Sequence, residues 1–378
     1  MKSKTKRARD LGLDFPGTPA ALNAITDVSG VSVGLQTIIE NTPRHGRSLP
    51  VRSGITAILP RPVGDAPAPV WAGVHRFNGN GEMTGTHWIE DGGYFLGPIL
   101  LTNTHAVGAC HQAAIRWMLD RYPATYNGID HLWMMPVVAE TYDGLLNDIN
   151  GLAITEADAR TALDSAKAGP VDEGNTGGGT GMICYEFKGG TGTASRRLTI
   201  DGETRVVAAL VQANHGIRDW LTVLGAPVGI HLRDGRILQE IGERGSIVVI
   251  IATDIPMAPH QLRRLARRGA IGIARGGTAG GNSSGDIFLA FSTANDMPML
   301  HRAASRFSLE MVNDELFDPI YEAAVQCVDE AVINAMVAAR DLGGTQYDRA
   351  LVRAIDHHQL SDIVAQYRRA TVRNAVGY

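Results

Sequence analysis

Six consecutive apolar residues, Ile247 to Ala252 in the stretch RGSIVVIIATD, constrain this chain more than any other feature. A strand with one wet face alternates apolar and polar side chains. A short, continuous, β-branched run instead specifies a strand buried on both faces. Helices must then cover the sheet that holds it. Gly245 and Ser246 stand directly ahead of the run. A serine at the lip of such a strand is either a plain strand start or a nucleophile held on a rigid edge, and the pattern leaves both readings open.

The same reading extends along the chain. Apolar runs predict strands at Ile55–Leu59, Val70–His75, Ile99–Thr102, Leu132–Ala139, Met182–Phe187, Val206–Ala213, Ile247–Thr253 and Ile287–Ser292. Helical patterns cover Val107–Arg121, Glu156–Ala168 and Pro259–Ala270. The second opens on Thr155, with Asp158 completing a capping-box pattern. Asp318-Pro319 reads as an N-cap and an N1 proline opening a long apolar helix to Ala339, and Gly343-Gly344 ends that element. Two shorter helices are expected before and after His357-His358. The alternation defines an α/β chain without internal repeat or low-complexity linker.

Composition sets the outer bounds. The chain has 378 residues, enough for one large or two medium domains. With 44% hydrophobic and 20% charged residues it reads as globular rather than disordered. A formal net charge of -4 gives no reason to expect nucleic acid or an anionic membrane as partner. The 44 glycines, about 12% of the chain against a usual ~7%, imply many tight turns and close backbone approaches. Cys110, Cys184 and Cys327 are too few and too scattered for a disulfide framework or a zinc knuckle, so buried, reduced thiols and a cytoplasmic location are expected. The basic start MKSKTKRARDLGLDFPG has no apolar stretch behind it, so no secretory signal is expected, and no segment has the length and purity of a membrane span.

Several stretches bear on chemistry. GNTGGGTGM, residues 174–182, is followed by a strand pattern and lacks the Lys-Ser/Thr of a phosphate loop, so tight turns near a crowded site are the better account. HRFNGNGEMTGTHWIEDGG, residues 75–93, holds His87, Glu90 and Asp91, but their spacing matches no zinc motif; a hairpin-rich loop and no metal are expected. In RRLARR, residues 263–268, helical spacing turns Leu262, Leu265 and Ala266 inward and the arginines to solvent. In ETYDG, Tyr142 at a strand end is either a donor to a developing negative charge or an ordinary, half-buried tyrosine. In QANHG, Asn214 offers an amide N–H to an oxyanion and His215 is a candidate base, although a loop histidine is more often unengaged. In GGNSSGDIF, an extended backbone would put Ser284 and Asp286 on one face, where a carboxylate polarises a hydroxyl; the same letters also make a plain turn. Taken together these residues are the inventory of acyl transfer, with no obvious general base. No G-x-S-x-G elbow occurs, which disfavours an α/β-hydrolase.

Six of these stretches, in order, resemble one family: HRFNGNGEMTGTHWIEDGG, MPVVAETYDGLLNDING, GNTGGGTGM, VQANHG, RGSIVVIIATD and GGNSSGDIFLAFSTAN. The chain resembles the self-cleaving serine aminopeptidases, the family of L-aminopeptidase D-Ala-esterase/amidase and the β-peptidyl aminopeptidases, from about Arg9 to the last helices. The resemblance implies a four-layer αββα sandwich like that of N-terminal-nucleophile hydrolases, with different strand connectivity, spanning 1–378 as a single domain. It implies a precursor that cuts itself between Gly245 and Ser246 into an α chain, 1–245, and a β chain, 246–378, with Ser246 as nucleophile. It assigns Tyr142 and Asn214 to the oxyanion, and Ser284 and Asp286 to support of the nucleophile. The β-aminopeptidase branch carries glutamate where this chain has Asp286, which favours the L-aminopeptidase/D-amidase branch. No cofactor is implied. The expected substrate is a small peptide, amide or ester with a free amine, and the expected assembly is a homotetramer of αβ heterodimers.

Physical chemistry agrees with that assignment. A cut before Ser246 creates an α-amine with a reference pKa of about 7.7–8.0, which supplies the missing base, alone or through Ser284 and Asp286. Gly245, lacking a Cβ, is expected to permit strained backbone at the cut. Selection of a free amine requires an anion, for which Glu140 is the candidate. Three rival readings remain: an ornithine acetyltransferase-like acyltransferase, which uses threonine as nucleophile; an unprocessed serine hydrolase with His215 or His260 as base; and a glycine-rich nucleotide binder using Gly177–Gly181.

Overall fold

The computed structural model describes residues 5–42, 44, 49–126, 133–237, 243, 245–297, 304–344 and 351–376, the last seven by backbone alone. The strands that carry the architecture are β1 (Ser32–Glu40), β2 (Val51–Leu59), β3 (Val70–Arg76), β4 (Tyr94–Phe95), β5 (Ile99–Asn103), β6 (Val137–Thr141), β7 (Ile183–Cys184), β8 (Phe187–Lys188), β9 (Gly190–Ile200), β10 (Glu203–Asn214), β11 (Ser246–Thr253) and β12 (Ile287–Ser292). One sheet has the order β1-β2-β5-β6 and the other β4-β3-β12-β11-β10-β9. Pairing is antiparallel except for β5 with β6 and β11 with β12.

The period-two geometry of strands sorts every apolar run into two faces. Ile58, Leu101 and Ala139 of the smaller sheet meet Val74, Leu210, Val248, Ile250 and Leu289 of the larger in one shared inter-sheet core. The opposite face of the larger sheet, with Val211, Ile247, Val249, Ile251 and Phe288, packs on Leu262, Leu265, Ile273 and Val328. Those four come from the helices Pro259–Ala266, Arg268–Ala274 and Phe317–Val337. The outer face of the smaller sheet, with Ile55, Ala57, Leu100 and Val138, packs on Ala113, Trp117, Ala159 and Leu163. These belong to the helices Val107–Arg121 and Glu156–Asp164. The result is the αββα sandwich. It also explains the continuous run: Ile247 to Ala252 are all 0% exposed, because alternate residues enter two different cores.

Several boundaries differ from expectation. β1 and β9 were not expected; β9, GTGTASRRLTI, is too poor in apolar residues to announce itself. Strand β6 begins at Val137 and runs on to Thr141; Trp133–Pro136 lie outside it, as Pro136 has no N–H to donate, and Leu132 is outside the described residues. The expected strand Met182–Phe187 is a small hairpin, β7 and β8, turned by Tyr185 and Glu186 at φ +50° and +60°. Tertiary contacts hold that unfavourable turn: Tyr185 N–H donates to the His215 carbonyl at 2.7 Å, and the buried Glu186 carboxylate accepts from Arg218 N–H at 3.1 Å.

The helix from Glu156 ends at Asp164, where Ser165 Oγ takes the Ala162 carbonyl at 2.9 Å; its capping box is present as read. The Pro259 helix breaks at Arg267 and continues to Ala274. The long helix starts at Phe317, so Asp318 and Pro319 fall inside its first turn rather than capping it. The segment 75–93 contains a short helix, Thr86–Gly92, where loop was expected. Residues 345–350, ahead of His357, lie outside the described residues; Leu351–Val352 is a strand, and one helix runs His357–Val376. No helix among the described residues is long and apolar enough to cross a membrane.

Candidate active site

Strand register brings the distant motifs to one end of the sandwich. Asn214, last residue of β10, pairs with Ser246, first residue of β11. β11 runs parallel to β12, with Val248 beside Ile287, so Asp286 stands at the same end. Ser246 and Asn214 share the parity of Val248 and Leu210, so both face the inter-sheet space. From the other sheet β6 ends at Thr141, and Tyr142 follows. The Asn214 amide donates to the Tyr142 carbonyl at 3.0 Å, which ties the two sheets together there. Asn214 Oδ1 accepts from Ile183 N–H at 2.8 Å, which fixes which end of the amide is the donor.

Ser246 is buried, and its Oγ accepts a hydrogen bond from Gly285 N–H at 3.1 Å. Ser284 donates to Asp286 Oδ1 at 2.5 Å, and the same oxygen accepts from Ile247 N–H at 3.2 Å. The expected pair therefore exists and abuts the residue after Ser246. Burial, helped by the charge of Glu243, raises the Asp286 carboxyl to about 6 against the pull of Ser284, Ile247 N–H and Asn78. Tyr142 is 44% exposed, and its ring folds back over Gly144, where a Cβ would lie 2.2 Å from the hydroxyl.

Gly245 packs directly on backbone: a Cβ there would lie 1.9 Å from the Asn214 carbonyl oxygen and 2.8 Å from His215 Cα. This close approach by itself requires glycine.

Neither His215 nor His260 offers a base at this site. His215 is buried, its Nδ1 lies 3.8 Å from Cys184 Sγ, and desolvation pushes its pKa down to about 3. His260 is exposed on the outer helical layer. Glu140 is buried; it accepts from Glu82 N–H at 2.9 Å and from the Thr104 hydroxyl. Burial raises its carboxyl. It shares the strand parity of Val138, on the helix-facing side of its sheet, away from the parity of Ser246.

Pattern reading passed over other residues here. Gly285 acts through its backbone N–H, which no letter encodes; a Cβ there would lie 2.3 Å from the Asn80 carbonyl oxygen. Asn78, from FNGNGE, donates to Asp286 Oδ2 at 3.4 Å. Asp143, next to Tyr142, is fully buried, held by Ser53 Oγ at 2.6 Å and Asn147 at 3.2 Å, and burial raises it to about 7. The Gly177–Gly179 turn wedges between the sheets, where a Cβ on Gly178 would meet the Leu101 carbonyl at 2.7 Å. Among the described residues no three His, Cys, Asp or Glu side chains converge as a metal site would require.

Two facing sheets between helical layers, with a serine opening a central strand, define an α/β architecture of the Ntn-hydrolase type. The profile of peptidase family S58 matches residues 23–350, and the chain belongs to that family of serine-type aminopeptidases. It is 46% identical to β-peptidyl aminopeptidase BapA of Sphingosinicella microcystinivorans, over 96% of this chain and 93% of that protein. Among solved structures it is similar to L-aminopeptidase D-Ala-esterase/amidase from Ochrobactrum anthropi, a prototype serine aminopeptidase and a variant of the Ntn hydrolase fold. That match has a TM-score of 0.93 and 64% identity, covering 96% of this chain and 99% of the other. A β-aminopeptidase of Burkholderia sp. matches with a TM-score of 0.85 and 45% identity, over 96% and 99% of the two chains.

Proposed function

We propose that this aminopeptidase is made as a precursor that cuts itself between Gly245 and Ser246, and that Ser246 then works as an N-terminal nucleophile. The observation that carries this is the setting of Ser246. Its hydroxyl is buried at the mouth of β11, beside Asn214 and the Ser284–Asp286 pair, while His215 is buried and neutral. A serine hydroxyl needs a base, and the amine released by the cut is the group that can supply one.

In the precursor Ser246 Oγ attacks the Gly245 carbonyl carbon. The C–N bond breaks, an ester forms on Oγ, and the nitrogen takes the hydroxyl proton. Water then cleaves the ester, leaving a carboxylate on Gly245 and a free amine on Ser246, and so an α chain 1–245 and a β chain 246–378. In the mature enzyme the amine, alone or through Ser284 and Asp286, takes the Ser246 proton as Oγ attacks the substrate's first carbonyl. Tyr142 and Asn214 donate to the oxyanion. The leaving amine or alcohol departs protonated, and water hydrolyses the acyl-enzyme.

The substrate reading is an L-aminopeptidase that also acts on D-amides and D-esters. It is supported by the 64% identity to the Ochrobactrum enzyme, against 46% and 45% to the β-aminopeptidases. A β-peptidyl aminopeptidase is the second reading, favoured by the names of the curated relatives. Glu140 is the candidate anion for the substrate ammonium on charge alone, since its strand parity turns it to the helix-facing side of its sheet. Cytoplasmic location and a homotetramer of αβ heterodimers complete the proposal; the three buried, free cysteines support the first.

Intact mass with N-terminal sequencing tests processing: two chains are expected, one beginning Ser-Ile-Val-Val. Ser246→Ala is expected to stay whole and to lose turnover of aminoacyl amides by at least about 10³-fold. An uncut chain with full turnover would sink the proposal. Rates on an L-aminoacyl amide, a D-alanyl amide and a β-dipeptide decide between the substrate readings.

A further inference from the structure

Glu243 stands three residues ahead of Ser246, and its side chain is buried. Its carboxylate is shared between two loops. One oxygen accepts from Gly216 N–H at 2.5 Å and the other from Gly281 N–H at 2.7 Å. Both partners are glycines the site requires. Gly216 has φ +88° and lies against the Tyr185 ring, and a Cβ on Gly281 would come within 2.3 Å of the Glu243 carboxylate. Gly216 is two residues beyond Asn214. The Gly281 carbonyl accepts from Ser284 N–H at 2.9 Å and from the Asn78 amide at 3.1 Å, and that amide also reaches Asp286. Among the described residues the donors to the Glu243 carboxylate are these backbone N–H groups.

We infer that Glu243 is a positioning residue for self-cleavage: it fastens the segment ahead of the Gly245–Ser246 peptide to the Asn214 loop and the Ser284–Asp286 loop. The inference rests on the processing reading above. Its physical basis is orientation. Attack within a chain is fast only when the carbonyl and the hydroxyl are held in register, and a bidentate anchor close to the scissile bond limits that freedom. Only a carboxylate offers two acceptors to two facing N–H groups; a glutamine in the same place sets one of its own N–H donors against a backbone donor. Neither hydrogen bond involves the peptide that breaks, so the fastening survives the cut.

The test follows conversion of freshly made full-length chain to two chains, by intact mass over time, for wild type, Glu243→Gln, Glu243→Ala and Ser246→Ala. Conversion at least tenfold slower in both Glu243 variants, with thermal midpoints within about 2 °C of Ser246→Ala, is the expected result. The fraction of Glu243→Gln that does cut should then show a lower kcat on an aminoacyl amide with KM within twofold, since Glu243 touches loops and not substrate. Conversion of Glu243→Gln at the wild-type rate overturns the inference. A fall in thermal midpoint of more than about 5 °C in Glu243→Gln, or a change confined to KM, also overturns it. A wild-type chain that stays whole removes the processing reading and the role of Glu243 with it.

Discussion

Asp286 is where the chemistry meets pH. Burial comes first in raising its carboxyl from 3.8 to about 6, and the Glu243 charge adds to it. The group therefore gains its proton at a higher pH than a free aspartate. Below about 6 the carboxyl is neutral, so the oxygen shared by Ser284 Oγ and Ile247 N–H loses its negative charge and polarises the Ser284 hydroxyl less. Turnover, read as the pH profile of kcat, is expected to fall a second time as pH drops through this value, below the limb set by the Ser246 amine with its reference pKa of about 7.7–8.0. Asp286→Asn should lower kcat by about 10²–10⁴-fold and abolish the step near 6 while the amine's limb stays, because the amide no longer titrates; a step near 6 that persists in Asp286→Asn would remove Asp286 from the mechanism. Side-chain chemistry of this kind is readable from letters: Ser284, Asp286, Asn214 and Tyr142 each announce a donor or acceptor. Gly285 does not, because its contribution to Ser246 is a main-chain N–H that every residue but proline carries. The state of His215 is hidden for a related reason. Its neutrality is a property of the Cys184–Tyr185 hairpin that buries it, not of its neighbours in sequence.

Strands whose apolar residues face two cores declare themselves, and β11 is the extreme case. Strand β9 is the opposite. It carries Gly192 because the long helix Phe317–Val337 lies directly upon it: a Cβ there would come within 2.0 Å of the Ala331 carbonyl and 2.8 Å of Ala335 Cβ. The letter that lowers strand propensity is the one this contact needs. Gly192→Ala is expected to force strand and helix apart at a cost of about 1–3 kcal/mol, measured as a lowered denaturant midpoint. An unchanged midpoint would mean that the helix shifts freely, against the close packing described. The β7–β8 hairpin was unreadable for a different reason. Tyr185 and Glu186 disfavour positive φ, and the turn exists because His215 and Arg218 reward it from outside. The Thr155 cap, by contrast, was legible because the whole of its hydrogen-bonding partnership lies within four residues.

The larger sheet interleaves the two sides of the proposed cut. β11 and β12 follow Ser246 in sequence but lie between β10 and β3, which precede it. A chain divided at this point keeps its edges paired, so processing need not disturb the core. A buried ion cluster adds a second link across the same divide. Glu330 is paired with Arg196 at 2.6 Å and with Arg9 at 2.8 Å, both from the first 245 residues. Glu330 and Arg196 are 0% and 1% exposed at the side chain. Glu330→Ala leaves the Arg196 guanidinium buried without its carboxylate and is expected to cost about 3–5 kcal/mol of stability, measured by chemical denaturation. A loss under 1 kcal/mol would show that the cluster is dispensable. Composition and periodicity were sufficient for the α/β class, for the doubly buried central strand and for the cast of reactive side chains, since each of these depends on a few adjacent residues. Strand order, the meeting of Ser246 with Asn214 and Gly285, and the reason for Gly245 were not recoverable that way. They arise from contacts between segments tens to hundreds of residues apart, and no local pattern records which distant backbone will come to rest against a given side chain.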